Sequence, residues 1–300
     1  MRTDFSRTID FGCRGFSRLG LVVTIGCLHF SVFGSSTIDP ANRYAYGANL
    51  GWMDGYANGT NGAVIGSYVC SGFIYSANVG WINLGNGSPA NGIQYKNNTA
   101  ADFGVNQDGL GDLRGYAYGA NIGWINFEDI GAPSVNLMTG QLSGYVWSAN
   151  CGWISLSNSV AYVQTDSISA GALDTNGLPI AWELTFFGHT GVDPNADPDA
   201  DGASNYQEYL AGTNPTNGSD SLVITGADFA GNGTNVTITF NSVLSRFYFV
   251  QKTEGLDSPN WGDSGLGLIS PAGPTTSVSF GDDDAPARFY RVKAVRPLTP

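Results

Sequence analysis

The residues of this sequence best placed to do chemistry are carboxylates. In "VDPNADPDADGASNYQEYLAGTNP", Asp197, Asp199 and Asp201 alternate along the chain, followed by Gly202, Ala203, Asn205 and Glu208. Counted from Asp197 these fall on positions 1, 3, 5, 6, 7, 9 and 12 of a calcium-binding loop. The spacing has a physical reason. Alternate carboxylates on a curled loop converge on one hard cation, and the Ala203 carbonyl adds a further oxygen. Glycine permits the sharp turn, and a carboxylate one helical turn later closes the shell. Without a cation, carboxylates so close together repel one another. Calcium is therefore the expected cofactor. Asp193 and Asn195 extend the alternating run upstream and offer ligands to a second or shared ion.

An earlier stretch, "ALDTNGLPIAWELTFFG", is a worn copy of the same loop. With Gly177 as the turn glycine, Asp174, Asn176 and Glu183 keep positions 3, 5 and 12. Ala172 and Ile180 stand where the ligands at positions 1 and 9 belong. Other catalytic constellations fail on their partners. "GDSG" (262–265) resembles the phrase around the nucleophile of chymotrypsin-like proteases, which needs a histidine base and a buried carboxylate. Beyond residue 36 the sequence has one histidine, His189, inside the acidic segment. No GxSxG, HExxH or phosphate-binding glycine loop occurs. The expectation is a protein without catalytic activity.

The elements that must hold the carboxylates are short helices. Pro179 suits the first turn of a helix running to about Phe187, with Gly188 as its stop. Ser204 starts a second helix that ends before Gly212 and Pro215. On either side the pattern is β. Upstream, one aromatic phrase is written four times, as "YAYGANLGWMD", "GFIYSANVGWINL", "GYAYGANIGWINF" and "GYVWSANCGWISL". Each copy reads as strand, tight loop, strand, because alternating residues flank Ala-Asn and Gly. Asp-Gly and Thr-Gly in "GVNQDGLGDL" and "SVNLMTGQL" add hairpin turns, giving roughly a dozen strands in which each unit covers its neighbour's apolar face. Downstream of Ser221, "LVITGADF", "NVTITF", "RFYFVQKTE", "LGLIS", "TSVSF" and "FYRVKAV" read as six or seven strands of a small sandwich.

Trp52, Trp81, Trp124 and Trp153 each follow an asparagine by three residues: Asn49, Asn78, Asn121 and Asn150. Two readings follow. Exposed rings beside amides suit a carbohydrate surface, with the four tryptophans as ligand contacts. Buried tryptophan with a turn-forming asparagine is the structural alternative, and repetition favours it, since every copy must solve the same packing problem. Core tryptophans are therefore expected.

The first 36 residues look like an export signal: Arg2, Arg7, Arg14 and Arg18 precede the apolar "LGLVVTIGCLHFSVF" and the small residues "GSS". The apolar run is too short to span a bilayer, so no membrane span is expected after cleavage. Its removal changes the formal net charge from −12 to −14, which repels nucleic acid and favours cations. Cys70 and Cys151 remain, and their spacing does not say whether they are bridged; Cys151 occupies the apolar slot filled elsewhere by Leu50, Val79 and Ile122.

Three resemblances cover most of the chain. The aromatic phrase is similar to tandem repeats of exported bacterial surface proteins, which implies export and a surface location. The acidic segment resembles thrombospondin type 3 and dockerin-like calcium loops, and a dockerin would imply a protein partner. "SPNW" and "RFYRVKAV" resemble C-terminal fibronectin- or immunoglobulin-like modules of such proteins. Together the expectation is a mainly β protein. A signal peptide (1–36) precedes a four-repeat β-domain (37–165), a calcium-binding loop–helix segment (166–220) and a β-sandwich (221–300). It is expected to be secreted or on the cell surface, with calcium, and a polysaccharide or a surface protein, as partners.

Overall fold

Each aromatic phrase folds as a β-hairpin with the same three-residue loop. In a computed structural model that describes residues 35–230, 234–257, 260–282 and 288–299, β1 (Ile38–Gly47) turns into β2 (Gly51–Asp54), and β3 (Ser71–Ser76) into β4 (Gly80–Asn86). A short strand β5 (Val105–Gln107) precedes β6 (Leu113–Gly119) and β7 (Gly123–Asn126). The pair β8 (Ser134–Val135) and β9 (Leu142–Ser143) precedes β10 (Tyr145–Ser148) and β11 (Gly152–Ser155), and β12 (Val163–Thr165) closes the region. The expected signal peptide lies outside the described residues except for Ser35 and Ser36. Ser36 is already tied in, its Oγ donating to the Ala63 carbonyl at 2.8 Å.

The loop chemistry explains the repeated letters. In the first hairpin the Leu50 amide bonds the Gly47 carbonyl, closing a turn, and Gly51 follows at φ +72. Gly80, Gly123 and Gly152 take φ between +72 and +80 at the same place. This is a turn followed by a left-handed bulge residue, for which glycine is the low-cost choice. The glycine that opens the second, third and fourth phrases has another cause. A Cβ on Gly72, Gly115 or Gly144 would come within 2.2–2.4 Å of the carbonyl oxygen of Gly62, Gly104 or Ala132 on a crossing segment.

The four hairpins pair in sequence, and the last returns to the first: Tyr46 lies opposite Ser155 and Gly47 opposite Ile154. Eight antiparallel strands thus form a closed barrel within a ten-stranded sheet. Register slips by two residues at each passage between hairpins. Trp52 is opposite Tyr46, whereas Asp54, two residues on, is opposite Tyr75. Such slips are what tilt strands enough to close a barrel. Inside, one layer is built from cross-strand pairs: Ala45 with Met53, Ile74 with Ile82, Ala117 with Ile125, and Val146 with Ile154.

The barrel overturns the expectation of core tryptophans. Trp52, Trp81, Trp124 and Trp153 are 44–46% exposed on its outer face. An eight-stranded barrel has an interior only wide enough for modest side chains. Met53, Ile82, Ile125 and Ile154 occupy it, so the adjacent tryptophan must face outward. Cys70 lies buried in the barrel core and Cys151 in its hairpin loop, both as free thiols. Burial pushes the Cys70 thiol up to about 12.

Beyond the barrel run α1 (Ile180–Phe186) and α2 (Asn205–Ala211). The second is fixed locally by a capping box between Ser204 and Gln207 and ends at Gly212 with φ +79. Among the described residues the C-terminal part has six strands: β13 (Ile224–Ala230), β14 (Asn235–Asn241), β15 (Phe247–Thr253), β16 (Gly262–Asp263), β17 (Thr275–Gly281) and β18 (Phe289–Val295). They form two three-stranded sheets, ordered β13-β14-β17 and β16-β15-β18. Val236, Ile238 and Phe240 from one sheet and Tyr248 and Val250 from the other share a core. The expected strand at "LGLIS" is an isolated bridge from Tyr248 to Ile269, because Gly265 and Gly267 turn left-handed and break the extension. The whole is mainly β.

Candidate metal centre and an aromatic girdle

The acidic loop curls as its spacing predicts. The Gly202 amide donates to Asp197 Oδ2 at 2.9 Å, the Asp201 amide to Asp197 Oδ1 at 3.2 Å, and the Ala203 amide to Asp201 Oδ1 at 2.8 Å. Gly202 is left-handed at φ +97, and Ala200 is held at φ +62, an uncommon conformation for a residue with a Cβ. The result brings one carboxylate oxygen each from Asp197, Asp199 and Asp201 within 4.8 Å of one another.

Helix α2 carries the twelfth-position carboxylate, Glu208, which is not one of the three clustered carboxylates but feels the charges of Asp199 and Asp201. Glu208 is fully buried; one oxygen accepts from the Thr213 hydroxyl at 3.2 Å. Its Oε2 is buried without a hydrogen-bond partner, as are Asp199 Oδ2, Asp201 Oδ2 and Asn205 Oδ1. Burial first, then the Asp199 and Asp201 charges, push the Glu208 carboxyl up to about 7. Buried acceptors with nothing to accept from are costly, and a charge among like charges more so. A hard cation that takes only oxygen ligands relieves both costs, so the donor set fits calcium on this chain's own geometry.

No protein-family model, curated protein or solved structure matches this chain.

The upstream residues are engaged differently. Asp193 Oδ1 accepts the Asn195 amide at 2.9 Å, and the Asp193 carbonyl accepts Asn205 Nδ2 at 2.8 Å. Asp193 does not belong to the carboxylate cluster. In the worn loop, Glu183 is fully buried and its Oε1 accepts from Asn176 Nδ2, the Gly191 amide and the Val192 amide at 2.8–3.1 Å. Asp174 accepts the Asn176 amide. Protein donors thus serve one oxygen of each twelfth-position carboxylate, three for Glu183 and one, Thr213, for Glu208, and the second oxygen of each is buried without a partner.

Both loops sit in a bracket between the barrel and the sandwich. Leu178, Trp182, Val192 and Tyr209 form a small core of their own, with Tyr68 of the barrel packed against it. From the sandwich side, Arg246 donates Nε to the Leu210 carbonyl and Nη2 to the Tyr209 carbonyl, both at 2.8 Å. These are the carbonyls that a helix leaves unsatisfied at its C-terminus. Arg296 lies 5.2 Å over the Tyr209 ring and reaches Ser67 Oγ of the barrel at 3.3 Å.

On the barrel surface each exposed tryptophan is paired across its hairpin: Tyr46 with Trp52, Tyr75 with Trp81 and Tyr118 with Trp124 at 4.9 Å, and Trp147 with Trp153 at 5.0 Å. The asparagines expected to serve their own turns instead reach sideways. Asn78 Nδ2 donates to the Leu50 carbonyl, Asn121 to Val79, Asn150 to Ile122 and Asn49 to Cys151, at 2.9–3.1 Å. This sideways reach is invisible in the sequence, because it exists only once neighbouring hairpins pair and, for Asn49, once the barrel closes.

Ser264, in the "GDSG" stretch, is buried with its Oγ unpartnered, and no histidine bonds it. His189 is exposed and bonds the Thr190 carbonyl.

Proposed function

We propose that this is an exported, non-catalytic, calcium-binding structural protein of a cell surface or matrix, in which calcium stiffens the bracket between two β-domains. The observation that carries this reading is the convergence of Asp197, Asp199 and Asp201 beside the buried Glu208, with acceptor oxygens that no protein donor serves. Asp197, Asp199, Asp201, the Ala203 carbonyl and Glu208 would hold the ion, with Asn205 beside them. The ion supplies the positive charge that the acidic loop lacks. Because Glu208 lies on the helix whose C-terminus Arg246 grips, fixing Glu208 also fixes the contact with the sandwich.

The faces of α1 and α2 support a connector over a partner-docking module. Trp182 and Tyr209 pack on each other, with ring centroids 5.9 Å apart, and on Tyr68 of the barrel. That apolar surface is already used within the chain.

Calorimetric titration of the full chain with calcium, followed by thermal unfolding with and without chelator, tests the proposal. Binding of one or two ions with a raised transition is the expected result; no heat and no shift would remove the calcium reading.

A further inference from the structure

The closed barrel creates four composite stations that no single repeat contains. The amide of each asparagine lies over the glycine that precedes the neighbouring hairpin's tryptophan. A Cβ on Gly51 would stand 3.1 Å from Asn78 Nδ2, on Gly123 3.4 Å from Asn150 Nδ2, on Gly80 3.7 Å from Asn121 Nδ2, and on Gly152 3.8 Å from Asn49 Nδ2. Each exposed indole therefore has an exposed amide from the next hairpin at its shoulder. One N–H of that amide is spent on a backbone carbonyl of the neighbouring hairpin.

Hairpin stability does not require this surface. Cross-strand pairs contribute roughly 0.2–1 kcal/mol, which β-branched residues also supply. Exposed aromatic pairs ringing one end of a barrel exceed the scattered apolar residues of an ordinary surface, and contiguous patches of this kind mark interaction sites. The chemistry around them is uncharged in three of four cases. The next outward residue after Trp81, Trp124 and Trp153 is Asn83, Asn126 and Ser155, and only Trp52 has an aspartate, Asp54. Aromatic faces stack on sugar C–H faces, and amides and hydroxyls satisfy sugar hydroxyls. The formal charge of −12 disfavours anionic glycans and anionic lipid.

From this geometry we propose that the girdle binds a neutral polysaccharide, with the four Trp–Asn stations acting as equivalent subsites around the barrel. Stations spaced round a closed ring cannot all meet one flat surface, so a chain that wraps, or several chains, would engage them. Avidity then rises with the number of intact stations. This proposal is independent of calcium.

The test is affinity electrophoresis and calorimetry of the full chain against xylan, mannan, mixed-linkage β-glucan and dextran. Trp81→Leu and Trp124→Leu keep an apolar residue and remove the π-face. The double variant should weaken binding by roughly tenfold or more. Asn121→Ala, which leaves every ring in place, should weaken it too, and Asp199→Ala should leave it unchanged. Circular dichroism confirms that each variant is folded. Retarded mobility that the tryptophan variants reduce supports the proposal. It is overturned by binding that is undiminished in the folded double variant, by no binding to any of the four polymers, or by binding to phosphatidylcholine vesicles in their place.

Discussion

Asn49 Nδ2 donates to the Cys151 carbonyl at 3.1 Å, joining the first hairpin to the last across 102 residues. The three other asparagines of the repeated phrase make the equivalent bond between consecutive hairpins, so the Asn49 bond turns a row into a ring. It operates beside the Tyr46–Ser155 strand pairing and removes the two free edges an open eight-stranded sheet would expose. The repeated asparagine is thus a closure device.

Asn78→Ala should therefore cost about 1 kcal/mol, the usual net worth of one hydrogen bond. Gly80→Ala, at φ +79, should cost about 1–2 kcal/mol because a Cβ there is strained. Urea unfolding of both variants measures this. An Asn78→Ala protein as stable as the parent would mean that strand pairing alone closes the barrel.

The hairpins were legible because their determinants are local: Ala-Asn, one apolar residue and a glycine specify the loop wherever it stands. The helices were legible for the same reason, through Ser204 and Pro179 at their starts and Gly188 and Gly212 at their ends. Closure was not legible, since nothing in residues 44–54 states that Tyr46 will meet Ser155. The outward tryptophans follow from closure, although one signal was present. In Gly-Trp-Ile only one of two adjacent residues can face a barrel interior, and isoleucine fits there where four indoles do not. At the proposed metal centre the spacing named the converging aspartates, but not the burial of Glu208 or the Arg246 grip on its helix.

Glu208→Gln and Asp199→Ala should abolish calcium-dependent stabilisation while both β-domains keep their circular dichroism. For an intact site at a hundredfold excess of calcium over Kd, the stabilisation lost is about 2.7 kcal/mol. A transition that still rises with calcium in both variants would place the ion elsewhere. Loss of β-structure in either variant without calcium would defeat the connector role.

The raised Glu208 carboxyl sets a pH dependence. Its folded-state value of about 7 exceeds its ordinary 4.5, so the folded state favours the protonated form. Without calcium that contribution is complete below about pH 4.5 and is lost as pH rises through about 7, on the order of 3 kcal/mol. Thermal unfolding in chelator should give a lower transition at pH 8 than at pH 5, with the difference reduced in Glu208→Gln. With calcium the order reverses, because protons compete for the same oxygens and weaken binding below about pH 7. An unchanged transition in chelator across this range would contradict the burial of Glu208.

Tryptophan fluorescence separates the girdle from the bracket. Trp52, Trp81, Trp124 and Trp153 are 44–46% exposed, and Trp182 is 2% exposed. Acrylamide should quench most of the emission readily and leave a blue-shifted component that Trp182→Phe removes. Uniform protection of all emission would return the girdle tryptophans to a buried environment.

The connector role makes a last, linked demand on Arg246. Its half-buried guanidinium satisfies the Leu210 and Tyr209 carbonyls, where a cation also complements the helix C-terminus. Burial, and the nearby Arg296, hold its pKa below the usual arginine value. Arg246→Ala leaves those carbonyls unserved and should cost about 1–3 kcal/mol. Glu208 stands within the same helix, so an ion bound there and a guanidinium bound at its C-terminus order one element together. Binding sites that share such an element are coupled, and the coupling is reciprocal. Calcium affinity of Arg246→Ala should therefore fall by about fivefold or more. Calcium should in turn slow proteolysis between α2 and β13 in the parent more than in the variant. Equal calcium affinities in the two proteins would mean that the ion orders its own loop and leaves the joint between the β-domains untouched.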